Sequence, residues 1–171
     1  MKRKIIFTML GVLLFCTELA QATDFYSDVT IQNGDVYTSS TINLHDTATI
    51  NMTGGIVADI RPLDTSILNM SGGSLGGLWL ANASTANLRG GTIGLVEALD
   101  QSIVNIYGYG FTSTPYGTAD LLSGFWENNS PFDIQLRRTH LPDVHYVLHE
   151  VPEPATFLLV GVGCALLRKK K

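Results

Sequence analysis

Asparagine recurs every eighteen residues in this chain, at Asn51, Asn69, Asn87 and Asn105. Glycine pairs follow in the same register: Gly54-Gly55, Gly72-Gly73 and Gly90-Gly91. Gly108 continues the first glycine column, and Tyr109 breaks the second. Apolar columns keep the period: Ile50, Leu68, Ala86 and Val104; then Met52, Met70, Leu88 and Ile106. Val57, Leu75, Ile93 and Phe111 align further on, as do Ile42, Ile60, Leu78 and Val96. Asp28, Asp46, Asp64, Asn82 and Asp100 form a column of turn residues. A fixed period of this length marks a solenoid.

The local pattern selects the kind of solenoid. Ile50-Asn51-Met52 and Leu68-Asn69-Met70 alternate apolar, polar, apolar, the period of a strand. Paired glycines and Asp/Asn columns punctuate short runs as turns do. Helical repeats need longer apolar-periodic stretches without paired glycines. The expected fold is therefore all-β: a right-handed parallel β-solenoid of about five 18-residue coils. Each coil would hold two or three short strands. Coils stacked about 4.8 Å apart would make a column about 24 Å tall. The apolar columns become its core, and the asparagine column a ladder of like side chains. The coils are expected at 28–45, 46–63, 64–81 and 82–99, with a part coil from 100. The first lacks the glycine pair and carries Gln32-Asn33-Gly34, so it reads as an N-terminal cap with shifted register. Residues 112–150 read as a C-terminal β cap that protects the open edge. Within it, residues 132–137 alternate strictly and residues 144–149 should form another strand.

The two ends differ from this middle, 23–150. The middle holds no lysine, and its four arginines face thirteen acids, a formal charge of −9. Such a domain is repelled by phosphates, which excludes nucleic acid as a partner. Both cysteines, Cys16 and Cys164, lie in the apolar ends, so the middle has neither disulfides nor thiolate metal sites. Residues 1–22 read as a secretory signal peptide: Lys2, Arg3 and Lys4, an apolar run over 5–16, then Ala20-Gln21-Ala22. Cleavage is expected after Ala22, leaving Thr23 first. An uncleaved anchor is the alternative, but the run is short for a span. Phe15 is too bulky to precede a lipidated Cys16.

Residues 151–171 contain Pro152-Glu153-Pro154, an apolar segment at 155–167, and Arg168, Lys169, Lys170 and Lys171. As a helix the segment spans about 20 Å, short of the roughly 30 Å hydrocarbon core. Snorkelling cations and local thinning can close that gap. The basic stop stays cytoplasmic, which places the middle outside. This tail resembles the PEP-CTERM sorting signal. The resemblance implies a transmembrane helix, processing near the motif by an exosortase-like transpeptidase, and delivery to the cell surface or an exopolysaccharide matrix. The repeat domain resembles, more loosely, solenoid stretches of exported planctomycete-type proteins. The partners so implied are signal peptidase, the exosortase, the membrane and exopolysaccharide. An unprocessed tail anchor is the plainer alternative.

No enzyme, cofactor or metal is expected. No nucleophile elbow, P-loop or catalytic cysteine occurs. Asp46 and Asp64 could stack as an acid pair for glycoside hydrolysis, but a ladder of turn acids explains them more simply. Each coil offers one obvious carboxylate, too few for the six or more oxygens calcium takes. His145 and His149, four apart on a strand, would lie about 13 Å from one another, too far to share a metal. Of four Asn-X-Ser/Thr matches, at Asn51, Asn69, Asn82 and Asn128, most read as by-products of the repeat, and none as a glycosylation site. The function expected is a structural or adhesive surface protein. A polysaccharide lyase or glycosidase, an ice-binding solenoid and a glycan-binding solenoid are its rivals.

Overall fold

The computed structural model describes residues 21–137 and 146–153. Ala20 and the rest of 1–20, His145, Pro154, the apolar segment and the basic stop Arg168–Lys171 lie outside the described residues. Among the described residues, no helix is long and apolar enough to cross a membrane.

The fold is all-β, a solenoid of parallel coils. β1 (Gln21–Phe25) lies parallel on β3 one layer before the first turn, β2 (Val29–Ile31) and β3 (Val36–Leu44) form that turn, and β4 (Thr49–Pro62) and β5 (Ile67–Leu80) the next two. β6 (Thr85–Leu88) and β7 (Thr92–Ala98) form the fourth, and β8 (Ile103–Tyr116) opens the fifth. β9 (Ala119–Trp126), β10 (Pro131–Arg137) and β11 (Tyr146–Glu150) complete the described chain. The eighteen-residue period is the register itself: Asn51 pairs with Asn69, Asn69 with Asn87, and Asn87 with Asn105.

Inward positions explain the cross-section. Along β4, Ile50, Met52, Val57, Ile60 and Pro62 are buried. The alternation slips between Met52 and Val57 and again between Val57 and Ile60. A straight strand would throw the later residues outward, so the chain bends at both places. With the turn at 63–66, each coil has three corners. The glycine pairs are thus bends inside continuous strands in β4 and β5, not breaks between strands as expected. Gly73 shows why glycine is required there. Its φ is +89°, and a Cβ would lie 2.5 Å from the Gly54 carbonyl oxygen of the coil before.

The third corner belongs to the acidic column. Asp46, Asp64, Asn82 and Asp100 have φ between 54° and 58°, a left-handed conformation that Asp and Asn tolerate. Thr65 N–H donates to Asp46 O and Ala83 N–H to Asp64 O, so turn stacks on turn. Asp64 Oδ2 accepts the Asp46 N–H at 3.0 Å, and its Oδ1 accepts from Asn82 Nδ2 at 3.2 Å.

The first coil departs from the period further than a simple shift. Ile31 pairs with Met52, twenty-one residues on, whereas Thr41 pairs with Asp59, eighteen on. Three extra residues therefore lie between Ile31 and Thr41. Asp28 consequently leaves the turn column to which its spacing assigned it. It stands opposite Thr49, and its Oδ1 accepts the Thr49 N–H at 2.8 Å.

The C-terminal cap is built as a meander. β8 runs past Phe111 to Tyr116, so no element ends at 111. β9 returns antiparallel on β8, and β10 antiparallel on β9. β10 then lies parallel on β7, and β11 parallel on β8, each where a next coil would sit. The strand expected at 132–137 is β10, and the one at 144–149 is observed from Tyr146. Trp126 is fully buried at the end of the core, 4.2 Å from the Phe132 ring. Its Nε1–H donates to Gly91 O at 2.9 Å, satisfying a carbonyl at the last glycine corner.

Candidate functional site

The face built from the first strand of each coil carries the asparagine ladder. Asn69 Nδ2 donates to Asn51 Oδ1 at 3.0 Å, Asn87 to Asn69 at 2.9 Å, and Asn105 to Asn87 at 3.0 Å. These side chains alternate with the buried Ile50/Met52 columns, so they project outward. Each amide has two N–H donors and an oxygen with two lone pairs. One N–H and one lone pair per inner rung remain uncommitted to the ladder.

A second outward column runs beside it: Thr53, Ser71, Arg89 and Tyr107. The Arg89 guanidinium lies 3.6 Å from the Tyr107 ring centroid, a cation–π contact. His149, brought in by β11, stacks on the other side of Tyr107 at 4.4 Å and an interplanar angle of 10°. Its Nε2 is 3.0 Å from Asn105 Oδ1. Where the column is small, at Thr53 and Ser71, a groove opens. It holds a cavity of about 150 Å³ lined by Asn51, Thr53, Asn69, Ser71, Asn87 and Arg89, with Met70 beneath.

The other faces spend their polar groups on structure. Trp79 Nε1–H donates to Asp59 Oδ1 at 3.2 Å, its ring lying over Gly77. Arg137 pairs with Glu97 at 3.0 Å across β10 and β7. His45 Nε2 lies 3.2 Å from Asp24 Oδ1, and its Nδ1 lies 3.9 Å from Asp64 Oδ2. Asp24 is held below the ordinary carboxylate value of 3.8 by the hydrogen bond from Asn43 and then by that from His45. Tyr146 is pushed up from 10.0 to about 12, chiefly by burial.

Among the described residues, no three His, Cys, Asp or Glu side chains converge as a metal site would require. Asp46 and Asp64 are adjacent, but the Asp64 carboxylate is engaged by turn groups. No protein-family model, no curated protein and no solved structure matches this chain.

Of the sequence-derived positions, Asn51, Asn69, Asn87 and Asn105 come together as one ladder. Ala22 and Thr23 lie in β1, opposite Thr41 and Ile42. Pro152 and Glu153 follow β11, outside any strand. The Arg89–Tyr107–His149 stack was not anticipated. The period places Tyr107 after Arg89, but β11 joins forty-two residues out of step, and no spacing announces His149. A buried column of Ser66, Ser84 and Ser102 was also missed. Each hydroxyl donates to the first carbonyl of its own turn, as Ser66 Oγ does to Leu63 O at 2.6 Å. That bond makes a polar side chain tolerable in the core.

Proposed function

We propose that this chain is an exported, exosortase-sorted protein of the cell surface or extracellular matrix, with its solenoid as a rigid, non-catalytic structural or adhesive module. The observation that carries this reading is the tail: Pro152-Glu153-Pro154, a short apolar segment and four terminal cations, paired with a signal-peptide pattern at the other end. The signal peptide takes the chain out, and the C-terminal helix holds it briefly until the transpeptidase acts. Right-handed winding, the hand of nearly all parallel crossovers, belongs to the same reading. The middle supports a structural role because many of its polar side chains bond from coil to coil. The acidic column serves the turns, and the asparagines serve one another.

Intact mass of the protein recovered from the cell exterior tests this. The expected form starts at Thr23 and has lost the segment beyond the Pro-Glu-Pro motif. In a host lacking an exosortase the tail should be retained with the membrane fraction. Exterior protein still carrying Lys171 in such a host would overturn the sorting assignment.

A glycan-binding role is favoured as the adhesive function by the groove on the asparagine face. Uncommitted amide groups repeat there at the coil spacing, about 4.8 Å. Turnover of pectin or alginate that fell on replacing Asp46 and Asp64 would instead show an enzyme.

A further inference from the structure

The solenoid is acidic, yet its acids are unevenly placed. The outward positions of the four stacked first strands are Thr49, Asn51, Thr53, Ile67, Asn69, Ser71, Thr85, Asn87, Arg89, Ile103, Asn105 and Tyr107. None is Asp or Glu, and Arg89 is the one charged group among them; the β2 layer, stacked before them, adds Asp28 opposite Thr49, three coils from Arg89, with its carboxylate accepting the Thr49 N–H. Glu150, the acid that β11 adds to this sheet, stands in register with Gly108, in the glycine column rather than the outward ones. Among the described residues Arg89 has no carboxylate partner; its guanidinium rests on the Tyr107 ring.

We propose that the groove beside Arg89 binds the carboxylate of a uronic-acid residue within an acidic polysaccharide. This deepens the adhesive reading above and rests on it for the ligand's being a glycan. Three observations converge. A guanidinium offers a planar fork of donors that matches a carboxylate bidentately, and stacking on Tyr107 already restricts this one. The cavity of about 150 Å³ is smaller than the roughly 300–1,000 Å³ pockets that enclose whole small molecules, so it takes one ring of a longer ligand. Beyond that ring, the ladder presents donors and acceptors to hydroxyls of neighbouring sugars along the stack. The acids on the other faces, and Asp28 at the first-coil end of this one, repel a polyanion, so attachment is confined to the coils around Arg89 and weakens as salt screens the single ion pair.

The test uses the full chain, purified in detergent, and isothermal calorimetry with three probes. These are an oligogalacturonate, its methyl ester, and a sulfated oligosaccharide of similar length. The expected result is binding of the free acid, with at least about tenfold loss on esterification, the scale of one charge-assisted contact. Arg89→Ala should lose the acid to a similar degree. Thr53→Tyr, which leaves Arg89 in place but fills the groove, should lose it too. Unchanged melting temperatures in both variants would show that the fold survives. Equal affinity for acid and ester, no binding of the acid, or full binding by a folded Arg89→Ala variant would each overturn the proposal. A sulfated probe that bound as tightly as the acid would overturn the uronate assignment. The sorting reading fails separately, on the mass of the exterior protein, and neither result alters the other.

Discussion

His149 closes the ladder that Asn105 leaves open. Asn105 donates its amide N–H to Asn87 and turns its Oδ1 to His149 Nε2, 3.0 Å away. Because Oδ1 accepts, Nε2 must carry the proton. A residue from outside the repeat thus supplies the donor that a next asparagine would have supplied.

Replacing His149 should loosen the cap in two separable steps. His149→Phe keeps a ring against Tyr107 and loses the hydrogen bond, at about 1 kcal/mol. His149→Ala loses both, at about 2 kcal/mol. Urea denaturation of each variant measures the difference, and equal costs would deny the bond a role.

The inner rungs of the ladder should matter more than its first. Asn87 donates to Asn69 and accepts from Asn105, whereas Asn51, as the first rung, accepts from Asn69. Asn87→Ala should cost about 2 kcal/mol and Asn51→Ala about half that, since each net hydrogen bond contributes about 1 kcal/mol. Denaturation midpoints at constant slope give the comparison.

Glycine at the stacked corner should prove indispensable where glycine elsewhere is not. Gly73→Ala places a methyl group 2.5 Å from Gly54 O at φ +89° and should cost about 3 kcal/mol or more. Gly34→Ala has φ +100° but open space around its added Cβ, so it should cost only the conformational penalty, about 1–2 kcal/mol. Thermal unfolding of the pair distinguishes stacking from backbone strain.

Two groups should shape the pH profile at opposite ends. The Asp24 pKa is lowered on folding, so the native state binds fewer protons than the unfolded chain in acid. Its contribution is full above pH 3.8 and is lost as pH falls below it. Asp24→Asn should therefore flatten the acid limb of the stability curve. Tyr146 is raised, so its contribution is full below pH 10.0 and is lost as pH climbs toward about 12. Tyr146→Phe should remove that alkaline loss. Chemical denaturation across both ranges checks each sign.

The sequence made the stack legible because every coil repeats the same demands. Asn51 to Asn105 and the Ile50 and Met52 columns needed no structure to be aligned. Asp28 was misplaced because only its spacing was available, and three residues inserted between Ile31 and Thr41 change the register without changing composition. Leu44, Pro62, Leu80 and Ala98 are a buried column that escaped notice because proline and alanine do not look like core. The serines escaped for a like reason: their bond to a turn carbonyl is geometric. The groove was half legible. The small Thr53 and Ser71 and the large Arg89 share a column, but the closing ring arrives through a long-range pairing.

The glycine corners make each coil inherit its outline from the one beneath, backbone resting directly on backbone. Copying one repeat in the gene would therefore insert a layer between neighbours already shaped to receive it, leaving both caps untouched. Such a protein can grow in reach by whole increments, and its height is free to follow the thickness of whatever it must cross.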